Sequence, residues 1–487
     1  MFKQISHYSV STVVAGIATL ISIPFFTRVL SPEDFGVLAL YTMFGGITSN
    51  ILSVGLYTAT SRYYFKEINN PEYFARLNFT NIIFIVFMYL IGGFFVWKFA
   101  NDISYYLFDN KLSNEIVLLS YLGGCLGNIY AYLSGLLISQ ERSIIYSFSH
   151  ISVTIGSIII AIILIMFFSL TYHARIYSWI FNHLILIIIL IYLQRNYFIP
   201  ILSINCLKRS LTFSYPQIPA KMTGLIQQGL DKVMLTNYKS LDQVGIYQIA
   251  LRFGEINKLL MNSVMQGWNP YFMSKSELKT SEAKLDIVKR YQEIVMLFNF
   301  ASITVCMFGE ELIRLLTTKQ FYNSMYILPI IIIYILFNHS LNAIAKPQII
   351  FSEKMVYILP SSIASVLVNI IFNIILIPMY GAIGAAIATL FAGLTSSTIL
   401  FYFGNKLYPL PLYFSRLVGQ FILFIIFLIP IYGFMFIEMH ILLKLFVKII
   451  VLIIYLWLAI KIKLININTI LLVLNKIGFQ LKEKNEK

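Results

Sequence analysis

Two adjoining segments of this chain carry charge in otherwise apolar surroundings, at the spacing of helix faces. The first, SYPQIPAKMTGLIQQGLDKVML, holds Lys221, Gln227, Gln228, Asp231 and Lys232. Lys221, Gln228 and Lys232 stand at i, i+7 and i+11, which keeps them on one face of a helix. The second, GIYQIALRFGEINKLLMNSVMQGW, puts Gln248, Arg252, Glu255, Asn262 and Gln266 at i, i+4, i+7, i+14 and i+18, with Lys258 beside them. Four cations and only two carboxylates, interleaved with amides, suit a ligand that is both anionic and rich in hydroxyls. Asp231 and Glu255 are the groups able to titrate, and so to couple to a proton or sodium gradient. Other readings fit the same residues. Arg252 and Glu255 at i, i+3 also make a local ion pair, and Lys221 and Lys232 can snorkel toward opposite interfaces.

The surroundings decide how costly these charges are. Of the 487 residues 59% are hydrophobic and 12% charged, with a mean hydropathy of +0.80. Soluble globular chains carry roughly 25% charge. Apolar runs near twenty residues recur from end to end, each long enough to cross a hydrocarbon core of about 30 Å as a helix. Fourteen such spans are expected: 8–27, 36–57, 79–100, 116–138, 146–168, 173–193, 215–237, 243–268, 291–308, 324–345, 357–377, 382–403, 417–437 and 441–460. An all-α polytopic membrane protein follows, with its longest polar loop at 269–290. An ionisable group in such a span costs about 2.5–3.5 kcal/mol and therefore faces a cavity or a partner. Arg252 would lie roughly 14 Å into its span, near the midplane.

The net charge of +15 needs no nucleic-acid partner. With both termini on the cytoplasmic side, 23 Lys and Arg fall on that side and 7 on the other, as the positive-inside rule requires. The first run, Tyr8 to Thr27, is longer than a signal-peptide core and lacks a small-x-small cleavage site. Cys125, Cys206 and Cys306 have no metal-type spacing and suggest packing residues.

The chain also echoes itself. LSPEDFGVLALY opens the second span with Gly36, and SLDQVGIYQIAL opens the eighth with Gly245. A six-span offset is even, so the two halves would enter the membrane in the same direction, as a parallel repeat. Two six-helix lobes, residues 1–207 and 208–408, are expected to face each other across a cleft. Residues 409–487 then add two helices and a basic cytoplasmic tail. A third relative, YGAIGAAIAT, opens the twelfth span. In the first half Thr42, Gly46, Ser49, Ser53 and Tyr57 line one face with Asn50 adjacent, making Asn50 and Ser53 candidate ligand contacts. Small polar residues of this kind equally serve close helix packing. No phosphate-binding glycine loop, HExxH, nucleophile elbow or CxxC is present, so no enzyme and no resident cofactor are expected.

Three stretches resemble a known family. The opening SHYSVSTVVAGIATLISIPFFTRVLSPEDFGVLALY, the segment SYPQIPAKMTGLIQQGLDKVML with VGIYQIALRFGEI and WNPYF, and MYGAIGAAIAT are similar to Wzx-like polysaccharide biosynthesis flippases. These belong to the MOP superfamily, which also contains the MATE transporters. The resemblance implies two lobes around a central cavity and two further helices. It implies movement of undecaprenyl-pyrophosphate-linked oligosaccharides, units of O-antigen or capsule, from the cytoplasmic to the periplasmic leaflet of the bacterial inner membrane. A polysaccharide polymerase and a chain-length regulator are the implied partners. The family's cationic cavity maps onto Lys221, Arg252 and Lys258. Lys232 follows Asp231 where many relatives have Asp-Arg, so charge is kept while bidentate phosphate pairing is weakened. Gln227, Gln228, Asn262, Asn50 and Ser53 remain for sugar hydroxyls. A MATE-like exporter of cationic drugs would instead call for a net acidic lining. A membrane glycosyltransferase or polymerase would carry a large catalytic loop, which this chain lacks.

Overall fold

The computed structural model describes residues 2–215, 218–435 and 439–462. Within that range it is helical throughout, and no strand occurs among the described residues. The first half contains α1 (Phe2–Val29), α2 (Pro32–Leu52), α3 (Leu56–Lys66), α4 (Pro71–Lys98), α5 (Ala100–Phe108), α6 (Asn114–Ser139), α7 (Ser143–Phe168), α8 (Tyr172–Leu193) and α9 (Ile204–Ser214). The second contains α10 (Ile218–Tyr238), α11 (Leu241–Glu277), α12 (Ser281–Leu316), α13 (Ser324–Phe351), α14 (Ile358–Tyr380), α15 (Ala382–Leu407), α16 (Phe414–Met435) and α17 (Ile441–Lys461). Twelve of them are long and apolar enough to cross a membrane. The two other long helices are α10 and α11, and these bear the polar stripes. Charge and amide content, not length, sets them apart.

Local chemistry explains most boundaries. Ser31 and Asp34 form a capping box that starts α2, with Pro32 in its first turn, where a missing N–H costs nothing. The second span ends sooner than expected. Helix α2 stops at Leu52, and Val54 and Gly55 take positive φ angles of 51° and 66° before α3 begins. Tyr57 is therefore on α3. The region expected as a loop, 269–290, is instead two helix ends joined by a short turn at 278–280. Its polar residues recur at helical spacing outside the apolar zone. Tyr271 donates to Asp286 at 2.6 Å, and Lys275 pairs with the same carboxylate at 3.0 Å. At the expected tight turn near Pro378, Gly381 alone separates α14 from α15, with φ +57°.

Two compact units emerge from the packing. One comprises Met1–Ile249, Leu315–Ser324 and Ser365–Thr389. The other comprises Ala250–Arg314, Met325–Ala364 and Leu390–Lys487. In the first unit the echoed hairpins meet. A Cβ on Gly36 would overlap the carbonyl of Leu241, and a Cβ on Gly245 would overlap the carbonyl of Pro32. The spacing that relates Gly36 to Gly245 in sequence also relates Pro32 to Leu241, so the contact is reciprocal, backbone against backbone. The third hairpin joins them, since the Gln243 side chain accepts from the N–H of Ala382 at 3.2 Å. Elsewhere in this unit Thr60, Asn78, Asn81 and Tyr132 form a buried hydrogen-bonded network that ties α3, α4 and α6 together. The three cysteines are buried.

In the second unit α17 is fastened to α12 by charge. Lys444 reaches Glu310 at 2.7 Å, Lys448 reaches Glu311 at 2.7 Å, and Arg314 pairs with Glu310 at 3.1 Å. Both lysines are buried, so each depends on a carboxylate to offset its desolvation.

Glycines of the same helices allow a controlled test of the hairpin contact. Gly36→Ala and Gly245→Ala must push backbone apart and should each cost about 1–3 kcal/mol. A methyl group on Gly46 would meet nothing within 4 Å, so Gly46→Ala should be neutral or slightly stabilising. Thermal unfolding of the purified protein in detergent ranks the three. Equal midpoints would show that the two hairpins yield without strain.

Candidate functional site

Asp231 is the hub of the first unit's polar interior. Helix α10 carries it three turns past Pro219, and the side chain is buried at 4% exposure. Four neutral groups donate to it. Tyr247 Oη reaches Oδ2 at 3.0 Å and Thr389 Oγ1 reaches the same oxygen at 2.6 Å. Asn369 Nδ2 and Asn373 Nδ2 reach Oδ1 at 3.0 and 2.7 Å. Asn373 also donates to Asn369 Oδ1 at 3.1 Å. Its own Oδ1 is buried with no hydrogen-bond donor among the described residues. Four helices thus converge on one carboxylate: α10, the first turns of α11, α14 through an i, i+4 asparagine pair, and α15.

The chemistry of this knot is specific. A buried carboxylate whose donors are all neutral is stabilised by hydrogen bonds, with its charge offset only in part. The remaining oxygens, from two amides and two hydroxyls, are hard donors of the kind that hold small cations. The residues therefore fit either a proton on Asp231 or a cation among these oxygens.

The second unit presents a different surface. Along α11, Glu255, Lys258, Asn262 and Gln266 are exposed and Arg252 is half-buried, with Glu255 the charge that Arg252 feels most. Facing this stripe is α13, whose His339 Nε2 lies 3.3 Å from Asn262 Oδ1. Lys258 and Lys346 lie within electrostatic reach of the same imidazole. Behind it the half-buried Asn338 accepts from the buried Asn342 at 3.1 Å and donates to the buried Ser397 at 3.3 Å. Arg252, Lys258 and Lys346 set three cations against the single acid Glu255. Resting such a face on hydrocarbon would be costly.

The expected residues distribute as follows. Asp231 and the half-buried Gln227 and Lys232 belong to the first unit, with exposed Asn50 and buried Ser53. Asn50 donates to Gly46 O at 2.8 Å, and Ser53 caps the C-terminus of α2 while donating back to Asn50 O at 3.0 Å. Arg252, Glu255, Lys258 and Asn262 belong to the second unit. The side chains of Lys221 and Gln228 lie outside the described residues. Five residues do not stand out in the sequence: Tyr247, Asn369, Asn373, His339 and Lys346, and Thr389 does so only as part of a hairpin. Asn369 and Asn373 in SVLVNIIFNIIL, and Asn338, Asn342 and Lys346 at i, i+4 and i+8, are the available signals.

Residues 25–326 match the family described as polysaccharide biosynthesis protein. The chain belongs to that family. A similar protein is the capsular polysaccharide biosynthesis protein CapF of Staphylococcus aureus, 24% identical over 431 residues that cover 84% of this chain and 100% of CapF. The fold is similar to the lipid II flippase MurJ in an inward closed conformation, with a TM-score of 0.73 at 16% identity over 92% of this chain and 97% of that one. It is also similar to an inward-facing multidrug resistance MATE transporter of the MOP superfamily, with a TM-score of 0.64 at 14% identity over 83% and 97% of the two chains. This member of the polysaccharide biosynthesis family therefore has the fold of multi-pass membrane transporters.

The knot predicts its own stability order. Thr389→Val removes one donor and should cost about 1–3 kcal/mol; Asp231→Leu strands all four and should cost more than any single donor substitution. Chemical or thermal unfolding in detergent gives the ranking. If Asp231→Leu unfolds no earlier than Thr389→Val, the carboxylate is not the hub.

Proposed function

We propose that this protein flips undecaprenyl-pyrophosphate-linked oligosaccharide units across the bacterial plasma membrane by alternating access, as a step of polysaccharide assembly. The observation that carries the reading is the set of cations Arg252, Lys258 and Lys346 on α11 and α13, with the amides of Asn262 and Asn338. A pyrophosphate entering a low-dielectric site needs nearby positive charge to offset its lost hydration. Amides and hydroxyls suit the sugar, and Asn50 and Gln227 in the first unit are further candidates for it. The polyprenyl chain can remain in lipid. Membership of a polysaccharide biosynthesis family and the flippase fold support the same direction, and a drug exporter for cations fits the strip poorly. Both termini are taken as cytoplasmic from the distribution of Lys and Arg, and a polymerase and a chain-length regulator would act downstream.

Coupling is assigned to Asp231 rather than Glu255. Asp231 is buried among oxygens that fit a cation, while Glu255 is exposed beside Arg252. Sodium-dependent or proton-dependent protection from unfolding should be present in the wild type and absent in Asp231→Asn. Persistence of the ion effect in that variant would remove the knot from the coupling mechanism.

The substrate assignment is tested in cells lacking their own flippase, by following lipid-linked oligosaccharide on the cytoplasmic leaflet. Arg252→Glu should lower export at least about tenfold, as expected for loss of a charge-assisted contact. Arg252→Lys should keep part of it. The alternative, a structural Arg252–Glu255 pair, predicts recovery when both are replaced by alanine. Full export by Arg252→Glu, at normal protein abundance, would dismiss the strip as the pyrophosphate site.

A further inference from the structure

The connection between α8 and α10 folds as an amphipathic helix that neither the knot nor the strip uses. Ser203 caps its start by accepting from Cys206 N. Cys206, Ser210 and Ser214, at i, i+4 and i+8, are buried. Cys206 packs with Ala59, Tyr63 and Leu77, against which Tyr73 also rests. The other face carries Asn205, Lys208, Arg209 and Thr212, at i, i+3, i+4 and i+7. Between this face and α3 lies a cavity of about 470 Å³, lined by Tyr63, Asn205, Lys208, Arg209, Thr212 and Phe213.

Arg209 is held rigidly at the cavity wall. Its Nη2 pairs with Glu67 at 2.8 Å and its Nη1 donates to Tyr73 Oη at 3.1 Å. The guanidinium lies 4.6 Å from the centre of the Tyr63 ring. Lys208 beside it is exposed, as are Arg62 and Lys66 on α3. Lys208 and Arg209 against Glu67 leave the lining net positive. The two ends of the same helix expose apolar side chains: Leu202 is 65% exposed, Ile204 76% and Tyr215 70%. A site for a soluble anion has no use for exposed Leu, Ile and Tyr. A basic pocket bordered by such side chains on an amphipathic helix has the composition of a membrane-interface site.

We propose that the α3–α9 pocket binds the phosphate headgroup of an anionic membrane phospholipid. Lys208 and the fixed Arg209 face the phosphate, Asn205 and Thr212 offer polar contacts, and the acyl chains lie along Leu202, Ile204 and Tyr215. Such a lipid would anchor the connection between the sixth and seventh long spans to the bilayer surface. This goes beyond the transport reading, since the pocket shares no residue with the knot or the strip.

Full-length protein purified from lipid mixtures tests the proposal, with retained lipid counted by native mass spectrometry. Phosphatidylglycerol should be retained over phosphatidylcholine. Lys208→Ala should lower that retention about fivefold, the effect of one surface cation on an anionic headgroup, while Lys208→Arg keeps it. Lys289→Ala, at an exposed cation on α12, should leave it unchanged. Equal loss in Lys208→Ala and Lys289→Ala would show diffuse surface attraction and overturn the site. Displacement of the lipid by millimolar inorganic phosphate would show that the pocket reads phosphate alone, and would overturn it as well.

Discussion

The reciprocal contact of Gly36 with Leu241 and of Gly245 with Pro32 fixes the geometry on which the first unit depends. Backbone touches backbone there, so no side chain can take up slack. Two residues beyond Gly245, on the same first turns of α11, Tyr247 turns its hydroxyl to Asp231. Gln243, two residues before Gly245, binds the first N–H of α15, and two turns along that helix Thr389 reaches the same carboxylate. Hairpin contact and polar knot are therefore parts of one construction. Helix ends brought together by the absence of a Cβ aim two of the four donors at Asp231.

The chain solves the problem of charge in apolar surroundings in three distinct ways. On α12 and α17, two carboxylates are paired with two ammonium groups and a guanidinium within 2.7–3.1 Å, which makes a fastening and leaves little for a ligand. At Asp231 the donors are neutral, so the carboxylate retains an unmet demand for positive charge. On α11 and α13 the half-buried Arg252 and the exposed Lys258 and Lys346 accompany one acid, Glu255. Structural pairing is the first of these balances, and the proposed ion coupling and anion binding rest on the other two. Burial alone does not separate them, since Lys448 and Asp231 are both buried.

Much of this is legible in sequence. Apolar runs announce the membrane helices, and Gly36 and Gly245 announce a repeated hairpin, although not that the hairpins touch. Where sequence misleads, the cause is physical in each instance. Residues 269–290 have loop-like composition, yet a helix that leaves the apolar zone keeps its period while losing its hydrophobicity, and period is the signal to follow. Asn369 and Asn373 are uncharged and sit in a very apolar helix, so only the tertiary contact with Asp231 reveals them. Lys346 resembles a loop charge, although it is the last member of an i, i+4, i+8 series with Asn338 and Asn342. Ser53 stands out for its place in a stripe, and its hydrogen bonds are those of a helix terminus.

A flippase must release what it binds, and the acid on the strip bears on that. A site holding a pyrophosphate by several cations without opposition would retain it, because conduction and transport require binding strong enough to enter and weak enough to leave. Glu255 is one helical turn from Arg252 and exposed beside it, so it competes for the guanidinium whenever the ligand is absent. On the proposed reading, Glu255 would keep Arg252 partly compensated in the empty state and lower the net gain on ligand entry. Glu255 and the ligand would then be successive partners of one arginine in the proposed mechanism. The strip's single acid is as much a part of the proposed transport chemistry as its three cations.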